Sequence, residues 1–379
     1  MTTDKLPQEQ IDHILNLFKS DQTQQALDFI DTLSKDYPDE SLLFNIRGAC
    51  YAGLGQLDIA VQSYKKALSI KPDYAKAHYN LGGALQELDK LHDSVKSYEN
   101  SIALEPENAQ AHNNLAIVLR ELNQLEEAEA SCRKAIVLDP EYAEAHSCLS
   151  IILYANGDLN SALESIKKAY SINPKLKIIK LLLAVLKARK THKTSKVSIT
   201  NIRSISNPLI LNRAVEQELI AKLYEMKSLE LEKTKDPSYG NARGSGYQFF
   251  QDDHSSIIKT VEEDLVRILR EAIKADIHVK DSFFTILGAG GGVNRHNHIS
   301  ALDIDSSLNL VNQKFSLVYY LSVGDQDCTE PGILKLYDPS ENILPREGMI
   351  IIFPADRHHS VVYNGKKDRI IIGINFYSL

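Results

Sequence analysis

The 379-residue chain is 43% hydrophobic and 25% charged, a balance that excludes an intrinsically disordered protein and allows two domains. Its formal net charge of −7, without a long Lys/Arg tract, argues against nucleic acid or an anionic membrane as a partner. The start, MTTDKLPQEQIDHILNLF, lacks the basic and apolar regions of a signal peptide, and no stretch reaches membrane-spanning length, so we expect a cytoplasmic protein.

An internal repeat fills the first half of the chain. Its clearest sign is a ladder of evenly spaced prolines: Pro38, Pro72, Pro106, Pro140 and Pro174. Small residues recur twelve positions before each proline, at Ala26, Ala60, Ser94, Ala128 and Ala162. Side chains this small let two helices cross closely, and a proline ends the second helix of each unit. The spacing therefore predicts units at 7–40, 41–74, 75–108, 109–142 and 143–176.

Two segments identify the type of repeat. AHYNLGGALQELDKLHDSVKSYENSIALEPEN and AHNNLAIVLRELNQLEEAEASCRKAIVLDPEY resemble the tetratricopeptide consensus. The resemblance implies helix pairs stacked into an all-α solenoid, which binds a protein or peptide in its concave groove. We place this first domain at residues 1–190, where the apolar segment LKIIKLLLAVLKARK, residues 176–190, is expected to form a helix that caps the last repeat.

Two polar ladders run through the repeats. His78, His112 and His146 are spaced by one repeat, and repeats stand roughly 10 Å apart, so these histidines cannot share one metal ion. A packing role is the better interpretation for them. Asn80 and Asn114 form a shorter ladder, for which gripping the backbone of a bound peptide and helix packing are both open.

A second domain follows at residues 208–379, after a linker at 191–207 that is rich in Ser, Thr and Lys. Two amphipathic helices are predicted within 212–233 and 254–276, and the glycine-rich loop DPSYGNARGSGYQFFQ between them is expected to lead into a short strand. From residue 283 onward, six short segments rich in β-branched and aromatic residues are separated by Gly, Pro, Asn and Asp. The pattern predicts an α+β domain with two helices on one outer face of a jelly-roll core.

The stretch GGGVNRHNHIS, residues 290–300, contains the residues that carry the strongest chemical signal. Residues i and i+2 of a strand face the same side, so His296 and His298 can point into one cavity. His359 opens a later strand, and Arg369 heads the last strand ten residues beyond it. The histidines of an isolated His-x-His would more simply be polar side chains at the edge of a loop. The interpretation as a metal site therefore depends on His359.

The order of these parts resembles the iron(II)- and 2-oxoglutarate-dependent oxygenases, especially the prolyl-hydroxylase branch and its bacterial relatives. The matching text is VNRHNH, LVYYLS, PGILKLYDP, GMIIIFPADRHHSVVYNGKKDR and IIIGINF, within residues 245–379. The resemblance implies a double-stranded β-helix, which is this family's jelly roll, and Fe(II) bound by His296 and His359. It also implies that Arg369 and Tyr320 hold the far carboxylate of 2-oxoglutarate, with ascorbate as the reductant.

The chain departs from the family at the second metal ligand. The family has Asp or Glu two residues after the first histidine, whereas this chain has His298. The spacing favours His298 itself as the ligand, which makes a three-histidine site. A carboxylate from ISALDIDSS, either Asp303 or Asp305, is the second option. Water is the third, as in the aspartyl/asparaginyl hydroxylases, which also carry tetratricopeptide-like repeats.

One function is expected from these features and two others compete with it. The expected function is an Fe(II)- and 2-oxoglutarate-dependent dioxygenase, which hydroxylates a prolyl, asparaginyl or aspartyl side chain of a protein or peptide recruited by the repeats. The missing carboxylate favours a catalytically inactive binding scaffold instead. Three histidines also suit a metal dioxygenase that uses no 2-oxoglutarate, since one fold hosts many activities.

Overall fold

The computed structural model describes residues 6–194 and 207–379, apart from positions 21, 235, 254, 301, 306, 307 and 309. The chain divides into two compact units, Met1–Ile179 and Lys180–Leu379. Most of the predicted linker, residues 195–206, lies outside the described residues. Among the helices of the described ranges, none is long and apolar enough to cross a membrane.

The first unit consists of paired helices. They are α1 (Gln8–Lys19), α2 (Thr23–Asp36), α3 (Ser41–Gly53), α4 (Leu57–Ile70), α5 (Ala75–Glu87), α6 (Leu91–Leu104), α7 (Ala109–Glu121), α8 (Leu125–Leu138), α9 (Ala143–Ala155) and α10 (Leu159–Ile172). Each helix packs on the next, and α3, α5, α7 and α9 also contact one another in series. These four helices begin at residues 41, 75, 109 and 143, where predicted units start. The predicted all-α solenoid is therefore confirmed.

A further helix, α11 (Lys177–Thr194), covers the segment predicted to cap the last repeat. It begins in the first unit and continues into the second, because the division between the units falls after Ile179. Leu182 and Val185 of this helix are buried. The capping role expected from the sequence stays a prediction.

Close helix crossing depends on the ladder of small residues. Its members Ala26, Ala60, Ser94, Ala128 and Ala162 are all fully buried. Two glycines allow a bulky side chain to lie against a helix backbone. A Cβ atom on Gly48 would stand 2.5 Å from the Tyr64 ring, and one on Gly82 would stand 2.9 Å from the Tyr98 ring. Since Tyr64 and Tyr98 are buried, any side chain at these glycines would displace a core tyrosine.

The turns inside four helix pairs, from α3–α4 to α9–α10, repeat one backbone conformation. Gly55, Asp89, Asn123 and Gly157, which recur with the same spacing as the prolines, all have positive φ angles between 57° and 84°. This left-handed conformation ends a helix, and Gly, Asn and Asp tolerate it better than other residues do. The residue types at these turns therefore follow from the backbone, and this ladder was not among the features predicted from the sequence.

The two polar ladders make contacts inside the array. Each ladder histidine brings its Nε2 atom to the carbonyl oxygen of the proline six residues earlier. The pairs are His78 with Pro72, His112 with Pro106 and His146 with Pro140, at 2.9, 3.0 and 3.0 Å. Asn80 donates to Asn45 Oδ1 and Asn114 donates to the Tyr79 hydroxyl, each at 3.0 Å and each across a repeat boundary. Peptide gripping by these asparagines stays a prediction.

The second unit is rich in β-strands. They are β1 (Leu209–Asn212), β2 (Leu229–Glu230), β3 (Ser238–Tyr239), β4 (Ala242–Gly244), β5 (Ile277–Leu287), β6 (Gly292–His296), β7 (Lys314–Val323), β8 (Leu334–Leu336), β9 (Glu341–Ile343), β10 (Met349–Pro354), β11 (His359–Val362) and β12 (Arg369–Ser378). A seven-stranded sheet has the order β1-β10-β7-β12-β5-β4-β2, and a five-stranded sheet has the order β3-β6-β11-β8-β9. The strands named in each sheet pair antiparallel.

Helices and sheets form layers. Leu265 and Leu269 of α14 (Ser256–Ile273) share a hydrophobic core with Tyr319 and other side chains from one face of the larger sheet, together with side chains of α12 (Gln217–Glu225). The neighbouring Tyr320 faces the opposite way, into a second core that includes Val361 of the smaller sheet. Successive strand residues point to opposite faces, so one strand serves both cores. The candidate site lies between the two sheets.

Two predicted elements differ from the observed ones. The helix predicted within 212–233 is only the short α12, followed by β2. The glycine-rich segment forms β3 and β4 and then a short helix, α13 (Phe249–Asp252), where a strand was predicted. Phe249 and Phe250 explain this helix. A strand would direct them to opposite faces, whereas a helical turn lets both rings be buried in the same core.

Candidate metal centre

Strand pairing brings two distant histidines together. His296 is the last residue of β6 and His359 is the first residue of β11, and the two are direct partners in the antiparallel register. His298 lies two residues beyond β6, and its backbone N–H donates to the carbonyl of Ala355 at 2.9 Å. The main chain after β6 is thereby held close to the end of β10, and the second imidazole stays beside the first.

The three imidazoles form one cluster. Their ring centroids are separated by 4.2 Å for His296 and His359, 4.8 Å for His296 and His298, and 5.0 Å for His298 and His359. One nitrogen from each ring lies within 4.8 Å of the others. Imidazole nitrogens bind zinc at about 2.0–2.1 Å, so small side-chain movements let the three rings hold one ion of this size. His358, the neighbour of His359, is not part of the cluster.

Two of the rings have a defined proton position. His296 Nδ1 lies 2.8 Å from the carbonyl oxygen of Asn294, and His359 Nδ1 lies 3.4 Å from that of Arg357. A carbonyl oxygen only accepts hydrogen bonds, so each Nδ1 carries the hydrogen and donates it. The Nε2 atom then keeps its lone pair. This tautomer lets Nε2 bind a metal ion while Nδ1–H donates a hydrogen bond, as is usual for histidine ligands.

The surroundings keep the imidazoles uncharged. Burial lowers the pKa of His359 to about 3, with a further contribution from the nearby His296. Burial also lowers the pKa of His298 well below its ordinary value, and neighbouring His359 and His296 add to that effect. The pKa of His296 is lowered for the same main reason. Neutral imidazole is the form that binds a metal, so the cluster is in its binding form at neutral pH.

The two alternative carboxylates are engaged elsewhere. Asp303 is fully buried, and its carboxylate accepts hydrogen bonds from Lys314 Nζ at 2.7 Å and from the Tyr377 hydroxyl at 2.6 Å. Burial raises the pKa of this carboxyl, but its hydrogen bonds outweigh that effect and lower the pKa overall. Asp305 accepts from the backbone N–H of Leu308 at 3.3 Å. Among the described residues, neither belongs to the histidine cluster.

A cationic group lies buried in the same cavity. Arg369 is 1% exposed and Tyr320 is fully buried, with the guanidinium carbon 5.0 Å from the Tyr320 ring centroid. Arg369 Nη1 donates to the carbonyl of Gly332. The Arg369 Nε atom and the Tyr320 hydroxyl have no hydrogen-bond partner among the described residues. A buried cation that meets only a neutral carbonyl, beside a buried hydroxyl without a partner, is costly, so this pair is suited to an anionic ligand.

One cavity connects these groups. It encloses about 670 Å³ of atom-free space, part of it open to solvent. The three histidines, Tyr320 and Arg369 all line it, together with apolar side chains such as Leu287, Leu334 and Val361. On another part of its wall, Tyr247 and Phe283 pack edge to face, with ring centroids 5.5 Å apart. The cavity therefore combines metal-binding donors, an anion-binding pair and an apolar wall.

Two residues of the candidate site were not among those predicted from the sequence. Gly332 has a positive φ of 79°, and a Cβ atom there would clash with Arg369 Nη1, so only glycine leaves room for the guanidinium. Asn375 places its amide nitrogen 3.5 Å from His298 Nδ1. A signal for Asn375 was available, because residues six apart on one strand face the same side, and Arg369 heads that strand.

Comparison with known proteins identifies the repeats. A family model described as "TPR repeat" matches residues 48–89, and another described as "Tetratricopeptide repeat" matches residues 79–143. Among curated proteins, the peroxisomal targeting signal receptor of Candida glabrata is 31% identical over 67 residues. That match covers 18% of this chain and 11% of the receptor.

Solved structures resemble part of the chain. MamA from Desulfovibrio magneticus has 21% identity and a TM-score of 0.42, covering 45% of this chain and 96% of its own. YrrB, described as a TPR protein with an unusual peptide-binding site, has 20% identity and a TM-score of 0.41, covering 48% and 90%. PilF of Pseudomonas aeruginosa has 17% identity and a TM-score of 0.45, and the match covers 49% of this chain and 85% of pilF. The family matches and the observed helix pairs together show that the N-terminal region carries tetratricopeptide repeats, a repeat type that binds peptides or proteins.

Proposed function

We propose that residues 208–379 form an Fe(II)- and 2-oxoglutarate-dependent dioxygenase domain of the double-stranded β-helix type. Its substrate is a side chain of a protein or peptide that the repeats recruit. One observation carries the proposal: three neutral imidazoles and a buried arginine without a carboxylate partner among the described residues line the same cavity. The neutral imidazoles suit a metal ion, and the buried guanidinium, which is costly without a counter-charge, suits a dianionic co-substrate.

The donor set fits Fe(II). Imidazole nitrogen is a suitable donor for this ion, and three protein ligands leave positions for a co-substrate and dioxygen. His296, His298 and His359 would hold it, of which His296 and His359 present Nε2 with its lone pair. Charge also allows the replacement of the family's carboxylate by His298. The Fe(II) charge of +2 and the 2-oxoglutarate charge of −2 leave the site formally neutral.

The anion pair fits the far carboxylate of 2-oxoglutarate. Arg369 would supply a planar, permanently charged donor with an unused Nε–H, and Tyr320 would supply its unpartnered hydroxyl. Both are buried, so the carboxylate would exchange water for charge-assisted hydrogen bonds in a region of low dielectric constant. Loss of the guanidinium would leave that carboxylate buried without a counter-charge, which weakens binding severely.

Bound Fe(II) and 2-oxoglutarate supply a reaction in which dioxygen converts the co-substrate to succinate and carbon dioxide and a substrate C–H bond is hydroxylated, while ascorbate keeps the iron reduced. The protein's own part is positioning and exclusion. Strand pairing of His296 with His359 holds two donors, and Arg369 fixes the far end of the co-substrate. The apolar wall, with Leu334 and Val361, limits the water that reaches the site.

Succinate release tests the proposal. Full-length protein with Fe(II), ascorbate and 2-oxoglutarate should release succinate slowly even without a substrate. Arg369→Ala should lose this activity and the Fe(II)-dependent binding of 2-oxoglutarate, whereas Arg346→Ala, at an exposed arginine of the same unit, should retain both.

The outcomes separate the competing functions. Absence of both succinate and 2-oxoglutarate binding in the wild-type protein would leave the binding scaffold as the better account. Iron binding with oxygen consumption that is indifferent to 2-oxoglutarate and to Arg369→Ala would point to a three-histidine dioxygenase of the other kind. Mass spectrometry of peptides captured by the repeats would identify the hydroxylated residue. In the resembled family this is a prolyl, asparaginyl or aspartyl residue.

A further inference from the structure

His298 differs from the other two histidines in what holds its ring. The Nδ1 atoms of His296 and His359 face backbone carbonyl oxygens, which fix the proton on that nitrogen. The Nδ1 atom of His298 instead faces the side chain of Asn375, 3.5 Å from its amide nitrogen. The tautomer of the third imidazole is therefore decided by an amide that can turn either way.

The two orientations of this amide have opposite consequences. With the amide nitrogen toward the ring, Asn375 donates to Nδ1, and the neutral imidazole must carry its hydrogen on Nε2. With the amide flipped so that its oxygen and nitrogen exchange places, the oxygen accepts a hydrogen bond from Nδ1–H, and the lone pair lies on Nε2. Only the second orientation gives His298 the tautomer that His296 and His359 already have.

Ser316, the neighbour of Asn375, is compatible with either orientation of the Asn375 amide. Asn375 on β12 is the register partner of Ser316 on β7, and the Ser316 hydroxyl donates to Asn375 Oδ1 at 2.8 Å. A hydroxyl group can donate or accept, so Ser316 can also accept from the amide nitrogen after the flip. Both residues are buried, which keeps water from competing for the amide. At Ser316 the flip therefore requires only that the hydroxyl hydrogen rotates.

The main chain of His298 is fixed independently of its ring. Its N–H donates to the Ala355 carbonyl, and its own carbonyl accepts from Lys314 Nζ. Lys314 is in turn paired with Asp303 at 2.7 Å, and both side chains are almost completely buried. The carboxylate that the sequence offered as an alternative ligand thus helps to anchor the loop that carries His298. With the backbone held, Asn375 is the side chain that faces Nδ1 of the ring.

We infer that Asn375 is a positioning residue for the metal centre. Its side-chain oxygen accepts from His298 Nδ1 and so presents His298 Nε2 to the metal ion, which makes His298 the second ligand. The inference rests on the metal site of the proposed function. It explains how this chain uses a histidine where the resembled family has a carboxylate: an amide on the last strand takes the part that a backbone carbonyl takes for the other two rings.

Binding of Co(II) to the full-length apoprotein tests this role without any turnover. The visible ligand-field bands of the Co(II) protein report coordination, and titration gives the affinity. Asn375→Ala should weaken Co(II) binding by about 10- to 100-fold, the usual cost of losing an outer-shell partner of a ligand. Asn375→Asp, which can only accept from Nδ1–H, should bind at least as tightly as the wild type. Asn342→Ala, at an exposed asparagine on β9, should change nothing.

A double-mutant cycle separates positioning from a merely structural role. In a His298→Ala background, Asn375→Ala should cause no further loss of Co(II) affinity, because the ring it orients is absent. An equal loss in both backgrounds, or unchanged affinity of Asn375→Ala in the wild-type background, overturns the inference. If Asn375→Ala does not fold, Asn375→Asp decides, since a tenfold loss there also overturns it.

Failure of the proposed metal site has a different signature. In that case the wild-type protein would bind Co(II) no more tightly than His296→Ala or His359→Ala does. Tight wild-type binding that those two variants abolish, combined with an indifferent Asn375, would keep the metal site and reject only the role of Asn375.

Discussion

Replacing Gly332 by alanine tests whether the buried guanidinium holds the co-substrate, without changing the arginine itself. A Cβ atom at this position would clash with Arg369 Nη1 and lie 2.9 Å from Cζ, inside van der Waals contact. Arg369 is 1% exposed, so the side chain cannot swing into solvent to avoid the clash. We expect the guanidinium to shift away from the place where it would meet a carboxylate.

The expected effect has two parts. Alanine at a φ of 79° costs about 1–2 kcal/mol of stability, because L residues are strained in the left-handed region. Displacing one hydrogen bond to a charged group costs a further 1.5–3 kcal/mol or so of binding free energy. Converted at about 1.4 kcal/mol per tenfold change, 2-oxoglutarate should bind roughly 10- to 150-fold more weakly to Gly332→Ala than to the wild type.

Calorimetric titration of 2-oxoglutarate into the Mn(II)-loaded protein under anaerobic conditions measures this loss. Gly290→Ala is the matched control, since Gly290 has a nearly identical φ of 77° but nothing within 4 Å of its added Cβ atom. The control should lose stability to a similar degree and keep its affinity. If Gly332→Ala folds and binds 2-oxoglutarate within a factor of two of the wild type, Arg369 is not the carboxylate-binding group.

Three further predictions concern stability. Gly82→Ala should destabilise the repeats by about 1–3 kcal/mol, because its methyl group meets the buried Tyr98 ring at 2.9 Å. Gly83→Ala, whose methyl group would lie 3.5 Å from the hydroxyl of the same tyrosine, should be neutral or stabilising. Urea unfolding of the two variants measures the difference. The hydrogen bond from Arg213 lowers the pKa of Glu216, so its stabilising contribution is complete above the ordinary pKa of about 4.3 and is lost as the pH falls through the lowered value. Urea midpoints between pH 6 and pH 3 should therefore fall less steeply for Glu216→Gln, and identical slopes would contradict this. A metal at 100 times its dissociation constant should stabilise the second unit by about 2.7 kcal/mol, seen as a higher melting temperature that a chelator reverses.

The repeats could be predicted in detail because their determinants are local. Each unit requires small residues such as Ala60 at a helix crossing and a proline such as Pro72 at the following turn, and all of these lie within the length of a single repeat. Periodicity makes the same signal appear several times, so a weak first unit does not obscure it. The turn residues with positive φ, Asp89 and Asn123 among them, could have been found by the same spacing.

The long strands of the second unit were also predictable, since β7, β10 and β12 are runs of β-branched and aromatic residues bounded by turns, whereas short strands such as β2 and β9 carry no such pattern. Tyr319 and Tyr320 show where such prediction stops. The alternation of a strand requires them to face opposite sides, but only the packing of α14 on one face and of the smaller sheet on the other shows that both are core residues. Phe249 and Phe250 show the same limit, because their shared burial favours a helical turn where the local pattern favoured a strand.

For the candidate site, the sequence by itself determined which residue types are available and in which order: a His-x-His, a later histidine and an arginine ten residues after it. Only the tertiary structure decided their arrangement. His296 and His359 meet through the register of β6 with β11, and Asp303 is turned toward Lys314 and away from the histidines. Asn375 reaches His298 from the larger sheet, whereas His298 follows a strand of the smaller sheet. Contacts between residues so distant along the chain depend on strand register and sheet packing, which short-range sequence patterns do not specify.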